Sequence, residues 1–272
     1  MYTHTSFYGM SMSSIAVFDS GFGGLTVLKE LQDLMPGENY IYYGDSANAP
    51  YGEKSPEELL ELTTAVCEKI LQENEVKCFV IACNTTTSEV FEPLTARFPE
   101  YPFIGIEPAV RWAAEENPGK HILVLGTLAT ARGRRLQQRL RELEGKADIE
   151  VYAARQIVPY VEGQNTDPKV FSEYLKEAMA PYRRDTDCVV LGCTHFPFVK
   201  RELAECFDKP VRFYDAAVHV AAETKDLLDE RNLRESSPAE GGSGKAGRIR
   251  FMNSDVQKLA REEELFRIYK SR

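Results

Sequence analysis

Two cysteines stand at the ends of two nearly identical phrases in this chain. "CFVIACNT", residues 78 to 85, is an apolar run that stops on a thiol and two small polar side chains, and "CVVLGCTH", residues 188 to 195, repeats the pattern. Cys78 answers to Cys188, Cys83 to Cys193, Asn84 to Thr194 and Thr85 to His195. A cysteine acts as a base or nucleophile only as thiolate, and an ordinary thiol, with a pKa of about 8.5, is ionised to only a few per cent at neutral pH. Each therefore needs assistance. "NTTTSEVFEPL" after Cys83 reads as a helix start, which would supply partial positive charge, and Thr194 and Pro197 in "CTHFPFVKREL" predict the same after Cys193. Asp19 is placed to hold or relay a proton near Cys83, and His195 near Cys193.

Two such thiols on opposite sides of one stereocentre would interconvert mirror-image substrates. One thiolate removes the α-proton from one face, and the opposite thiol returns a proton to the other. The carbanion delocalises into the neighbouring carboxylate, so preorganised donors must meet it. Asn84, Thr85, Thr194 and Ser20 are suitable, and one such donor is worth on the order of a hundredfold in rate. This chemistry requires neither a metal nor an organic cofactor.

The elements that must position these groups are legible in the hydropathy pattern. Short runs rich in β-branched residues ("IAVFDS", "NYIYYGD", "CFVIACN", "FIGIEP", "HILVLGT", "IEVYAARQ", "CVVLGCTH", "VRFYD" and "RIRFMNS") alternate with amphipathic stretches such as "SPEELLELTTAVCEKILQ" and "FSEYLKEAM". The alternation, with strands apolar throughout, predicts an α/β protein whose parallel sheets are covered on both faces by helices. The landmarks repeat. Asp19 aligns with Gly126 (126 − 19 = 107), Glu53 in "APYGE" with Glu162 in "VPYVE" (162 − 53 = 109), and Cys83 with Cys193 (193 − 83 = 110). The simplest account is two related three-layer α/β/α lobes about a pseudo-twofold axis, with the site in the cleft between them. The first lobe would take residues 14–107 plus 216–272 and the second 108–215, with 1–13 a disordered leader and the glycine-rich 236–247 a flexible loop. In parallel sheets ligands sit beyond the carboxyl ends of the strands. Asp19–Ser20, Cys83–Asn84–Thr85, Gly126–Thr127 and Cys193–Thr194–His195 all lie at such ends.

Composition narrows the classes. The chain has 272 residues and a net charge of −9, with 43% hydrophobic residues, enough for a substantial core. An acidic surface disfavours sequence-independent nucleic-acid binding. No apolar stretch reaches the length of a membrane span, and "MYTHTSFYGMSMSS" lacks the features of a secretory signal, so a cytoplasmic protein with free thiols is expected.

"DSGFGGL", "GDSANAPYG", "ACNT", "IEP", "GTLATARG" and "LGCTHFP" occur in an order and spacing that resembles the cofactor-independent glutamate racemases of the aspartate/glutamate racemase superfamily, from about Ile15 to Asp215. The resemblance implies that Cys83 and Cys193 are the two acid/bases, Cys83 serving the D enantiomer and Cys193 the L, with Asp19, Glu162 and His195 as auxiliary groups. It maps substrate contacts onto Asp19, Ser20, Tyr51, Gly52, Asn84, Thr85, Thr127, Thr130, Thr194 and His195. It implies glutamate as substrate, D-glutamate for peptidoglycan as product and a homodimer as the assembly. "TTTSE" after Asn84 departs from the family's more usual alanine-containing pattern.

Other readings weigh less. "DSGFGG" lacks the lysine of a P-loop, and its glycines suit a tight turn and a close backbone approach to a small anion. Zinc at Cys83, Cys193 and His195 would lack closely spaced ligand pairs, and no metal site is expected. Cys67, Cys78, Cys188, Cys206 and Trp112 read as packing residues, Asp45 as a cap, and His4, His121 and His219 as having no catalytic setting. An aspartate racemase or another superfamily isomerase differs only through cleft shape. A non-catalytic two-lobed anion-binding protein would tolerate loss of both cysteines.

Overall fold

The computed structural model describes residues 13–164, 167–235 and 246–271. The expected leader, apart from Ser13, and all but Ala246 and Gly247 of the expected loop lie outside the described residues, as does His4. All nine anticipated strands form, in two wholly parallel sheets. The first contains β1 (Ser14–Asp19), β2 (Tyr40–Gly44), β3 (Val76–Ile81), β4 (Phe103–Gly105) and β9 (Ile249–Asn253), in the order β4-β3-β1-β2-β9. The second contains β5 (His121–Gly126), β6 (Asp148–Ala153), β7 (Cys188–Gly192) and β8 (Arg212–Tyr214), in the order β6-β5-β7-β8.

Read from the other edge, the second sheet repeats the first strand for strand, β8-β7-β5-β6 against β4-β3-β1-β2. Register agrees. Ile15 pairs with Cys78 and Val17 with Val80, as Ile122 pairs with Cys188 and Val124 with Val190. The duplicated sequence is thus a duplicated structure, and β9 is an addition at the free edge of β2.

Because strand side chains alternate between faces, each sheet feeds two cores. Ile15, Val17, Cys78 and Val80 from the first sheet and Ile122, Val124, Cys188 and Val190 from the second belong to one continuous apolar cluster. It also takes in α1 (Leu25–Leu34), α4 (Val110–Glu116) and α10 (Ala217–Glu230). Ala16, Phe18, Phe79 and Ile81 face the other way, onto α2 (Pro56–Glu73) and α3 (Asn84–Arg97). Leu123, Leu125, Val189 and Leu191 face α7 (Ile157–Val161), α8 (Pro168–Met179) and α9 (Lys200–Ala204). Local signals start two of these helices. Ser55 and Glu58 make a reciprocal capping box ahead of α2, and the Asp167 carboxylate accepts the Lys169 and Val170 amides ahead of α8. Lys77 in β3 and Glu38 before β2 form a buried ion pair at 2.6 Å, and Glu38 also accepts the Glu235 amide, pinning the chain after α10.

One expectation changes on this frame, while Cys206 and Trp112 pack as expected but at the margins of their clusters. The segment after Cys193 forms not an α-helix start but a 3-10 turn, Phe196–Val199, followed by the five-residue α9. Pro197 has no amide hydrogen to give, and the short turn carries little dipole. Cys206 is only half-buried, its sulfur 3.3 Å from the Glu202 carbonyl. Trp112 is half-buried at the margin of the central cluster and stacks on His219 with ring centroids 3.5 Å apart.

Candidate active site

Both catalytic candidates open onto one cavity of about 270 Å³, lined from the first half by Ser20, Tyr51, Gly52, Cys83, Asn84 and Thr85. Thr127, Cys193, Thr194 and His195 line it from the second half. The thiols are nearly enclosed, at 4% and 6% exposure. Each sits just past a central strand, on β3 and β7, where the parallel sheet ends and backbone turns away. That is why corresponding positions of the repeat meet across a cleft.

Cys83 is the residue on which α3 begins, so the helix N-terminus faces its sulfur. The Ser20 hydroxyl lies 3.6 Å away. Burial nevertheless pushes the thiol up to about 11, with the Asp19 charge adding to the effect and groups on Ser20 and Thr86 opposing it. Asp19 is fully buried and does not line the cavity. Its carboxyl accepts the Gly24 amide at 2.9 Å, at the start of α1, and the Thr194 hydroxyl at 3.5 Å. Burial raises its pKa, while His195 and the Gly24 amide pull the other way.

Cys193 has a different neighbourhood. Its sulfur lies 3.7 Å from Nδ1 of His195, and Nε2 of that ring lies 2.8 Å from Oε1 of Glu162. Glu162 is buried at the end of α7, behind His195 and away from the cavity wall. Burial opposes its charge, yet the His195 ring, the Phe22 amide and Lys258 together hold it below the usual carboxylate range. For His195, burial likewise opposes charge, but Cys193 and Glu162 raise its pKa well above 6.5. The chain Cys193–His195–Glu162 can therefore store a proton on the imidazole. The first half has no counterpart: Thr85 stands where His195 would be, and its hydroxyl meets that of Thr127 at 3.2 Å.

The "DSGFGG" turn is the seam between the halves. None of its glycines has a positive φ among the described residues, so backbone handedness is not their purpose. A Cβ on Gly21 would strike the Glu162 carboxylate, and one on Gly23 would strike Thr194 and His195. The close approach anticipated for this loop is real, and the anion it meets is the Glu162 carboxylate, held by the Phe22 amide at 2.7 Å.

The other candidates are distributed unevenly. Tyr51 and Gly52 line the cavity from a 3-10 turn, Tyr51–Glu53, after the cis Ala49–Pro50 bond, and the Tyr51 hydroxyl donates to Asp45 at 2.5 Å. Asp45 also accepts from the Asn48 side chain, so it braces this loop. Thr130 is buried behind Thr127, whose hydroxyl donates to it at 3.0 Å, and it does not reach the cavity. Asn84 lines the wall with a buried Oδ1 that has no hydrogen-bond partner among the described residues, an acceptor suited to an ammonium group. Glu53 and Arg155, both exposed at the rim, and the apolar Pro50, Leu128, Ala154, Val158 and Pro159 complete the lining. Arg155 escaped the sequence reading although it follows a strand end. Only the pairing of β6 with β5 turns that end toward the cleft.

A duplicated parallel α/β scaffold carrying one thiol from each repeat into a single cavity defines a protein built to handle a small molecule from two sides. Residues 25–224 match the family described as Asp/Glu/Hydantoin racemase. The chain belongs to that family. A glutamate racemase of Clostridium botulinum is 38% identical over 89% of this chain and 91% of its own length. Among solved structures, a glutamate racemase isoform from Bacillus anthracis superposes with a TM-score of 0.79 at 27% identity, covering 96% of this chain and 94% of that one. The Escherichia coli glutamate racemase, in complex with L-glutamate and the activator UDP-MurNAc-Ala, gives 0.77 at 25% identity, covering 93% and 95%. Among the described residues no helix is long and apolar enough to cross a membrane.

Proposed function

We propose that this chain interconverts L- and D-glutamate by a two-thiol acid/base reaction without pyridoxal phosphate. The observation that carries the reading is that Cys83 and Cys193, equivalent positions of a structural repeat, line the same cavity. The unequal surroundings support a division of labour. With its pKa raised to about 11, Cys83 rests as a thiol, an acid ready to donate. Cys193 has His195 within reach, so its proton can pass to the imidazole and leave a thiolate base. L-Glutamate then loses its α-proton to Cys193 and gains one from Cys83. D-Glutamate runs the sequence backward. Asn84, Thr85, Thr194 and Ser20 meet the α-carboxylate and ammonium. Asp19 modulates Cys83 electrostatically, and Glu162 acts on Cys193 through His195.

The two lobes are proposed as residues 14–107 with 216–272 and residues 108–215, the cleft between them admitting substrate. The product would supply peptidoglycan synthesis from a cytoplasmic homodimer.

Incubating either enantiomer in deuterated water tests the chemistry. Product bearing one α-deuterium is expected, and product without it would overturn the two-thiol scheme. Cys83→Ala and Cys193→Ala should each lower racemisation by at least about a hundredfold, since neither base can serve both faces. Parallel assays with aspartate test the choice of substrate.

A further inference from the structure

Glu162 receives donors from three directions. The Phe22 amide and the His195 ring meet Oε1, at 2.7 and 2.8 Å, and Nζ of Lys258 meets Oε2 at 3.2 Å. Lys258 lies 96 residues further along the chain, in the 3-10 turn Val256–Lys258 that joins β9 to α11 (Leu259–Lys270). Its ammonium also stands 5.5 Å over the ring of Phe22, and its side chain is 23% exposed. So the C-terminal segment of the first sheet reaches over and completes a proton chain whose other members, Glu162, His195 and Cys193, all belong to the second half.

The charges explain why a cation is required there. When the proton of Cys193 moves to His195, the buried row holds a thiolate, an imidazolium and a carboxylate, which leaves one excess negative charge. Lys258 cancels it. The other ionisable groups facing the row do not. Asp19 from β1 could only add negative charge, Glu262 from α11 keeps its proton and stays neutral up to about 9, and Tyr42 from β2 is buried with its hydroxyl donated to the Gly21 carbonyl. Arg261 of α11 borders Gly163, beyond Glu162.

We propose that Lys258 is a positioning residue for the Cys193 side of the reaction: it holds the Glu162 carboxylate ionised and aimed at His195, so that the imidazole can keep the proton released by the thiol. This rests on the two-thiol reading above. Lys258 does not line the cavity and reaches Cys193 only through Glu162 and His195, so its removal should change the ionisation of Cys193 and not merely the rate.

The test uses the full chain with Lys258→Met, Lys258→Gln and Lys258→Arg. Two quantities are followed against pH: kcat/KM for racemisation, and the rate at which iodoacetamide alkylates Cys193 in a Cys83→Ser background, read by peptide mass mapping to separate it from Cys206. In the Met and Gln variants the alkylation midpoint and the acid limb of kcat/KM should both move up by about one pH unit, with kcat lowered about tenfold, and Arg should restore both. An unshifted midpoint in variants that fold, judged by Tm, would overturn the proposal and leave Lys258 a structural brace. So would a midpoint that shifts equally in the Arg variant. If the midpoint shifts but the wild-type chain does not racemise glutamate, the glutamate reading fails and the role of Lys258 stands. If the wild type racemises and the midpoint stays, the reverse holds.

Discussion

At the scale of the residue, the two thiols share a sequence pattern and little else. Cys83 is surrounded by burial, a carboxyl and hydroxyls, and its proton is held tightly. Cys193 has an imidazole backed by a buried carboxylate. Racemisation has an equilibrium constant of one, so kcat/KM is the same in both directions whatever the asymmetry of the site. The difference between the thiols can appear only in how kcat and KM divide and in which protonation form each enantiomer selects. Glu162→Gln preserves shape and removes the charge that holds the proton on His195. The imidazole pKa should then fall toward its ordinary value of 6.5, seen by NMR titration of the ring, and kcat should drop between about tenfold and a hundredfold. The sign for stability follows. The raised pKa of His195 contributes stability that is complete below 6.5 and is lost as pH rises through the folded value. The lowered pKa of Glu162 contributes stability present above 4.5 and lost as pH falls through its folded value. Wild type should therefore be most stable, relative to Glu162→Gln, between those limits.

At the scale of the element, the turn from β1 to α1 matters more than its length suggests. It passes close enough to the opposite half that Gly21 and Gly23 leave no room for a side chain. Gly21→Ala must displace either the backbone or the Glu162 carboxylate. A stability loss of about 1–3 kcal/mol is expected from thermal or denaturant unfolding. Activity should fall with it, because Glu162 can no longer accept the Phe22 amide and face His195 together. Gly119→Ala is a useful contrast. That glycine has a φ of +70° with nothing near its Cβ, so its substitution strains the backbone and should leave the ionisation of His195 unchanged. The helix expected after Cys193 shows how an element signal can mislead. Proline and threonine do mark a turn there, but the turn closes as a 3-10 helix. Proton storage at that thiol therefore falls to a side chain.

At the scale of the whole molecule, the duplicated sheets are joined by one continuous core and by the β9–α11 segment. Glu262 on α11 is fully buried beside Gly44 and Asn253, and burial pushes its pKa up to about 9. The folded chain thus keeps a proton on Glu262 that the unfolded chain releases near 4.5, and stability should decline as pH rises from about 4.5 to about 9. Glu262→Gln mimics the protonated acid and can still accept the Asn253 amide. Its Tm should match wild type near pH 5 and exceed it progressively toward pH 9. A Tm difference that does not change with pH would mean that Glu262 is already ionised in the fold.

Much of this architecture was written in local pattern. Nine strands, their parallel character and the repeat relating Cys83 to Cys193 follow from which short segments are apolar and from the spacing of their polar ends, because burial on both faces demands such segments wherever they fall in the chain. The same logic put Asp19, Asn84, Thr127 and His195 near strand ends, since each adjoins its own strand. What no local pattern carries is the contact between segments far apart in sequence. The collision course of Gly21 with Glu162 and the reach of Lys258 to Glu162 depend on how two sheets are set against one another, and the rim position of Arg155 on the pairing of β6 with β5. Ionisation belongs to that second group. A carboxyl or thiol takes its pKa from burial and from the charges packed around it, and only the tertiary structure brings those together.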